Sequence, residues 1–161
     1  MRLQTEVKLY TMCMIQDGSR ILLMNRPDDK GFPGYIAPGG KVDFPESIVN
    51  GAIREVREET GLIVKDIIYK GLEESCEPNT GLRYMVFNYL ATSFEGELLW
   101  VDREEALKLP MQDWFKRRFP LFFEEGTFEL SEIWDEQTGH VLEEMVRRYP
   151  ARIPQAAGLA D

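Results

Sequence analysis

The stretch from Gly39 to Leu62 restricts this chain more than any other. It reads Gly-Gly-Lys-Val-Asp-Phe-Pro-Glu over residues 39–46 and, after seven further residues, Arg-Glu-Val-Arg-Glu-Glu-Thr-Gly-Leu over 54–62. Glu55, Glu58 and Glu59 stand at i, i+3 and i+4, which puts three carboxylates on one face of a helix. Like charges so placed repel by roughly 0.2–0.5 kcal/mol per pair on an exposed helix, so the face calls for a positive partner. A hard divalent cation such as Mg²⁺ takes oxygen ligands and keeps positions open for substrate phosphates. The helix ends are marked as well. Asp43 or Ser47 caps the start, Pro45 suits the first turn, and Gly61 suits a left-handed stop. Val49, Ala52, Ile53 and Val56 form the opposite, apolar face, which must pack on a core. Arg54, four residues before Glu58, is placed to hold that carboxylate.

The rest of the chain sets the frame. Its 161 residues are 43% hydrophobic and 29% charged, the balance of one globular domain, read here as residues 1–149 with a tail over 150–161. The net charge of −9 disfavours a stable nucleic-acid complex, which relies on Lys and Arg to neutralise phosphates, but a small phosphorylated ligand screened by metal ions remains compatible. One histidine, His140, excludes a multi-histidine zinc site and gives a Ser-His-Asp triad no support; it reads as a turn or surface residue. Cys13 and Cys76 read as small, inert core or strand residues in a reducing compartment. No long apolar run and no apolar N-terminal core is present, so the expectation is a cytoplasmic protein with no membrane contact.

Along the chain, residues 6–15 are β-forming and end at the Asp17-Gly18 turn. Residues 21–26 read as the returning strand of a hairpin, and 27–34 as a loop. Residues 63–71 and 82–91 read as strands separated by a turn at 77–81, and 94–97 as a tight turn into 98–101. Residues 103–108 and 113–124 read as helices. Residues 128–134 and 141–148 read as a closing hairpin, with a helix over 141–146 as the alternative. Lys116, Arg117 and Arg118 read as a solvated helix face, with phosphate contact as the alternative. Pattern alone gives a mixed α/β (α+β) domain.

The segment opened on above resembles the Nudix box, G-x5-E-x7-R-E-U-x-E-E-x-G-U with U apolar, matched by Gly40, Glu46, Arg54, Glu55, Val56, Glu58, Glu59, Gly61 and Leu62. At ordinary residue frequencies its seven fixed letters coincide by chance on the order of once in 10⁸ to 10⁹ windows. The resemblance, which extends from about residue 6 to residue 147, implies an αβα sandwich with a mixed β-sheet. It implies a hydrolase of phosphoric anhydride bonds in nucleotides that uses Mg²⁺ or Mn²⁺, in the first place one cleaving a nucleoside triphosphate to the monophosphate and pyrophosphate, with another nucleoside diphosphate-X substrate, or a non-catalytic nucleotide sensor on the same fold, as the alternatives. It makes Glu55 and Glu59 the main metal ligands, with Glu58 as a further ligand or base and the Gly39 carbonyl completing the shell. Glu46 and Arg54 then orient the ligands.

Lys41 and Arg26 are candidate phosphate contacts, each weighed against a plain surface charge. Tyr10 and Thr11 in the first strand are similar to the MutT-like branch, which includes oxidised-purine nucleoside triphosphatases acting on 8-oxo-dGTP. From that branch the chain departs at Ile36, at Glu73-Glu74-Ser75, and at Asp113 to Arg118, where Trp114 remains as a candidate stacking residue. Glu95 and Glu97 are the local candidates for a loop carboxylate. Dimers are common among such folds, so a homodimer stays open.

Overall fold

The computed structural model describes residues 5–96 and 100–151. In chain order the strands are β1 (Glu6–Asp17), β2 (Arg20–Ile21), β3 (Met24–Arg26), β4 (Gly34–Ile36), β5 (Ile63–Val64), β6 (Ile68–Glu77), β7 (Leu82–Ala91), β8 (Phe94–Glu95), β9 (Val101–Asp102), β10 (Thr127–Trp134) and β11 (Val141–Tyr149). The helices are α1 (Ile48–Thr60), α2 (Arg103–Ala106) and α3 (Asp113–Arg118).

β1 is the spine. Its side chains alternate between the two faces of the sheet, and Met12, Cys13, Met14 and Ile15 are all buried, so both faces must be covered. On one face Ala52 and Val56 of α1 pack with Cys13, Ile15 and Leu22. On the other, Phe115 of α3 and Phe119 and Phe122 of the following 3-10 turn pack with Met12, Met14 and Ile21. Burial of a side chain such as Val56 or Phe122 contributes about 1.5–3 kcal/mol. This is the expected αβα sandwich.

The main sheet has the strand order β11-β10-β6-β7-β1-β2-β9. β1 runs parallel to β7, and β6 parallel to β10, while β6–β7 and β10–β11 are antiparallel, so the sheet is mixed as expected. β3–β4 and β5–β8 form two small separate ladders.

Several local expectations are corrected. The strand read over 21–26 is two pieces: β2 pairs with β1, and β3 turns away to pair with β4 because Leu22 and Leu23 are drawn into the core between them. The strand read over 63–71 is likewise divided into β5 and β6, and β6 runs on to Glu77. The helix read over 113–124 stops at Arg118 and continues as a 3-10 turn over Phe119–Phe122, where Pro120 supplies no N–H. The closing hairpin is formed, and the helical alternative for 141–146 is not. The strand expected over 98–101 and the tail over 150–161 fall largely outside the described residues.

Candidate active site

The acidic helix begins where Ser47 Oγ accepts from Asn50 N, and it ends at Gly61, whose φ of 74° is the left-handed stop that favours glycine. Ser47, not Asp43, is therefore the cap, and Pro45 lies ahead of the helix instead of in its first turn. Ile48 joins Val49, Ala52 and Val56 on the packed face. Ile53 borders an open depression with Asn50, Arg54, Arg57 and Glu58, so it is not a core residue.

Opposite the core face, residues 38–42 run as a strap along β1. Thr11 N donates to the Gly40 carbonyl at 2.8 Å, Cys13 N to the Pro38 carbonyl at 2.8 Å, and Val42 N to the Leu9 carbonyl at 3.0 Å. The strap is close on both sides. A Cβ on Gly39 would stand 2.2 Å from the Thr11 carbonyl oxygen, and a Cβ on Gly40 2.5 Å from the Glu55 carboxyl carbon. Two glycines thus let backbone pass between a strand and a functional carboxylate.

Arg54 organises the acids. Its Nη2 and Nε donate to Glu46 Oε1 and Oε2 at 2.7 and 3.1 Å, and its Nη1 donates to Glu55 Oε1 at 2.7 Å and to Glu58 Oε2 at 3.0 Å. Nη2 also donates to the Lys41 carbonyl at 2.9 Å, so the guanidinium ties helix to strap. Hydrogen bonds from Arg54, then the Asp43 N–H, hold the Glu46 carboxyl below its usual range. The bidentate Glu46 pair fixes the arginine plane, and the fixed arginine fixes the two glutamates.

Glu59 is held differently. Its Oε2 accepts from Gly39 N at 2.9 Å. Desolvation where the carboxyl turns inward pushes its pKa up; the Gly39 N–H pulls it down, Glu55 and Glu58 push it further up, and Arg26 pulls it down. Among the described residues, Glu59 is thus the carboxylate of the set that Arg54 does not hold. Among the described residues no three acids converge as a closed metal cage, because Glu55 and Glu58 lean toward Arg54 while Glu59 leans toward the strap. The donor set still suits a hard cation. It is all oxygen, it lies on one helix face beside a glycine backbone, and Glu59 needs positive charge.

The other candidates are placed as follows. Arg26 lies at the end of β3, and its charge pulls the Glu59 carboxyl down. Lys41 is exposed and bridges to Tyr10 through the backbone. The Tyr10 ring lies 5.8 Å from that of Tyr84. Thr11 is 2% exposed, and its Oγ1 has no partner among the described residues. Trp114 sits between Phe32 and Phe115 and stacks over the Arg118 guanidinium at 4.8 Å, which makes it a lid on a buried charge. Glu95 pairs with Lys65 at 3.0 Å, and Glu97 lies outside the described residues.

One expectation is overturned outright: Arg118 is buried, not solvated. It forms an ion pair with the buried Glu73, and Asn88 Oδ1 accepts from its Nη1 at 3.4 Å. Burial pushes the Glu73 carboxyl up and the positive Arg118 pulls it back. Asn88, a lone amide in the apolar run of β7, is the sequence signal for this interior polar cluster. Cys13 is inert as expected, its thiol pushed up to about 12 by burial and then by the Asp66 charge, and His140 is exposed in the final turn.

On this sandwich, then, a carboxylate face clamped by one arginine lies beside a glycine strap. Comparison with known proteins gives the family. A family model described as the NUDIX domain matches residues 8–121, and the chain belongs to the Nudix family, hydrolases of pyrophosphate bonds that generally use divalent metal ions. It is 31% identical over 119 residues to YvcI, an uncharacterized Nudix hydrolase of Bacillus subtilis, covering 66% of this chain and 73% of that one. It is also similar to the crystal structure of a Mutator MutT protein from Bacillus halodurans, with 28% identity, a TM-score of 0.74, and coverage of 86% of this chain and 97% of that one. A MutT NUDIX hydrolase from Burkholderia pseudomallei shares the fold at 24% identity and a TM-score of 0.56, covering 72% and 98% of the two chains. Among the described residues no helix is long and apolar enough to cross a membrane.

Proposed function

We propose that this Nudix hydrolase cleaves a nucleoside triphosphate to the monophosphate and pyrophosphate, using Mg²⁺ or Mn²⁺ held by Glu55, Glu58, Glu59 and the Gly39 carbonyl. The observation that carries the reading is the Arg54 clamp, which holds Glu55 and Glu58 in place beside a Glu59 short of positive charge. A bound divalent cation supplies charge to the developing phosphoryl oxygens and acidifies water. The chain's own residues do the rest. Arg54 and Glu46 fix the glutamate positions, Gly39 and Gly40 keep backbone close to them, and Arg26 and Lys41 are the basic side chains assigned to meet phosphate in this reading. The likeness to the B. halodurans Mutator MutT protein supports a modified deoxynucleotide, with 8-oxo-dGTP as the first to try.

A second reading keeps the site and changes the group joined to the nucleoside diphosphate, to a sugar, ADP-ribose, a dinucleoside polyphosphate or an RNA 5′ end. What favours it is Glu73, which stands at a departure from the oxidised-purine branch and is bound to Arg118 instead of free to read a base. A panel of these nucleotides with Mg²⁺ and Mn²⁺, with products identified, separates the two readings. Glu59→Gln is expected to lower turnover by orders of magnitude while the fold stays intact; equal turnover at matched folding defeats the assignment.

A further inference from the structure

Among the described residues, β11 is an edge strand that no other segment covers. It pairs with β10 on one side only, and Leu142, Met145 and Tyr149 are 59%, 48% and 44% exposed. An exposed edge that carries apolar side chains is a template for another strand unless charges or irregularities block it. The ladder with β10 is irregular only before Glu143, between Ile133 and Trp134, so the backbone from Glu143 onward is regular and open.

The order of residues on this edge is self-complementary. The segment reads Glu143-Glu144-Met145-Val146-Arg147. An antiparallel pairing of two copies across a two-fold axis at Met145 sets Met145 against Met145, Glu144 against Val146, and each Glu143 directly against Arg147 of the second copy. Directly opposed unlike charges stabilise a strand pair, and like charges destabilise it. Within the chain, Glu144 already pairs with Arg117 at 2.9 Å and Arg148 with Glu124 at 2.6 Å. Glu143 stands opposite Ile133 and makes no ion pair among the described residues, while Arg147 stands opposite Glu129 without closing an ion pair, so its outer side can still meet an acid from a partner.

Other registers are worse. Centring on Glu144 opposes that acid to itself. Centring on Val146 opposes Met145 to Arg147 and asks Glu144 and Arg148 to leave the partners they have. Only even register sums keep the two faces of the sheet continuous across a two-fold axis, and of these the Met145 register alone sets Glu143 directly against Arg147.

We propose that β11 is the interface of a homodimer, in which two copies pair this strand antiparallel about Met145 and continue the mixed sheet from one molecule into the next. The test is sedimentation equilibrium on the full chain. The wild type is expected at twice the 18.7 kDa monomer mass. Glu143→Arg opposes two arginines on each side of the axis and is expected to weaken association on the order of tenfold. The double variant Glu143→Arg/Arg147→Glu restores the opposition of unlike charges and is expected to restore the dimer. Circular dichroism confirms that each variant is folded, and the recovery in the double variant separates a broken interface from a broken fold. A wild type that is monomeric at the highest soluble concentration overturns the proposal. So does a dimer that neither variant alters, since it must use another surface.

Discussion

Gly40→Ala isolates the geometry of the site from the stability of the fold. The added Cβ would lie 2.5, 2.6 and 2.7 Å from Cδ, Oε2 and Oε1 of Glu55, where ordinary contact begins at 3.4 Å. The strap cannot recoil, because Gly40 accepts from Thr11 N at 2.8 Å and its neighbours bond to β1 on either side. The Glu55 carboxylate must therefore move by about 1 Å, away from the position in which Arg54 holds it. A displacement of that size in a reacting group costs about 100-fold in rate.

Stability should barely respond, since Gly40 does not lie in the left-handed region and Glu55 is flexible at its end. Gly18→Ala is the converse control. Gly18 has a φ of +60° and nothing near its absent Cβ, so alanine there costs about 1–2 kcal/mol of backbone strain and leaves the site untouched. Steady-state turnover with Mg²⁺ and thermal melts of both variants give the answer. Wild-type turnover in Gly40→Ala refutes the claim that the position of Glu55 matters to catalysis.

Two further outcomes follow from buried charge. Arg118→Met leaves Glu73 buried without its counter-charge and is expected to cost about 3–5 kcal/mol in urea unfolding, whereas Glu73→Leu/Arg118→Met should regain most of it; a double variant no more stable than the single would show that the pair is not the cause. The raised pKa of Glu59 makes the metal-free protein's stability depend on pH. A carboxyl raised in the folded state contributes stability in full below its unfolded value near 4.3, and that contribution is lost as pH rises through the folded value. Melting temperatures without metal should therefore fall across this range in the wild type, and the fall should be smaller in Glu59→Gln. Identical pH profiles for the two proteins would show that Glu59 does not titrate in this way.

The acidic helix was legible from sequence because everything that defines it is local: a serine cap, a glycine stop, and acids and apolar residues at helical spacing. β7 was legible for a similar reason, as an unbroken β-forming run between two turns. What depends on distant partners was not. Leu22 and Leu23 look like the middle of a strand, and only the core position of β1 explains why the chain bends there. Arg118 follows two other basic residues and reads as solvated; its burial depends on Glu73 and Trp114, which no spacing rule joins to it. The acids at 55, 58 and 59 share a face as expected, but their division between Arg54 and Gly39 follows from the strap along β1, which the sequence does not announce.

The parallel ladder between β1 and β7 has a consequence for how the molecule assembles. It joins Glu6 to Leu82 and Ile15 to Ala91, and the β6–β10 ladder joins Gly71 to Phe128, so the centre of the sheet rests on contacts between distant parts of the chain. Such contacts form slowly, because long loops must close before they yield anything. The acidic helix can nucleate early from its own caps, yet the strap that completes its outer face has firm footing only after β1 has found β7. Capacity to grip a cation should thus emerge late in folding, after helical structure is already present.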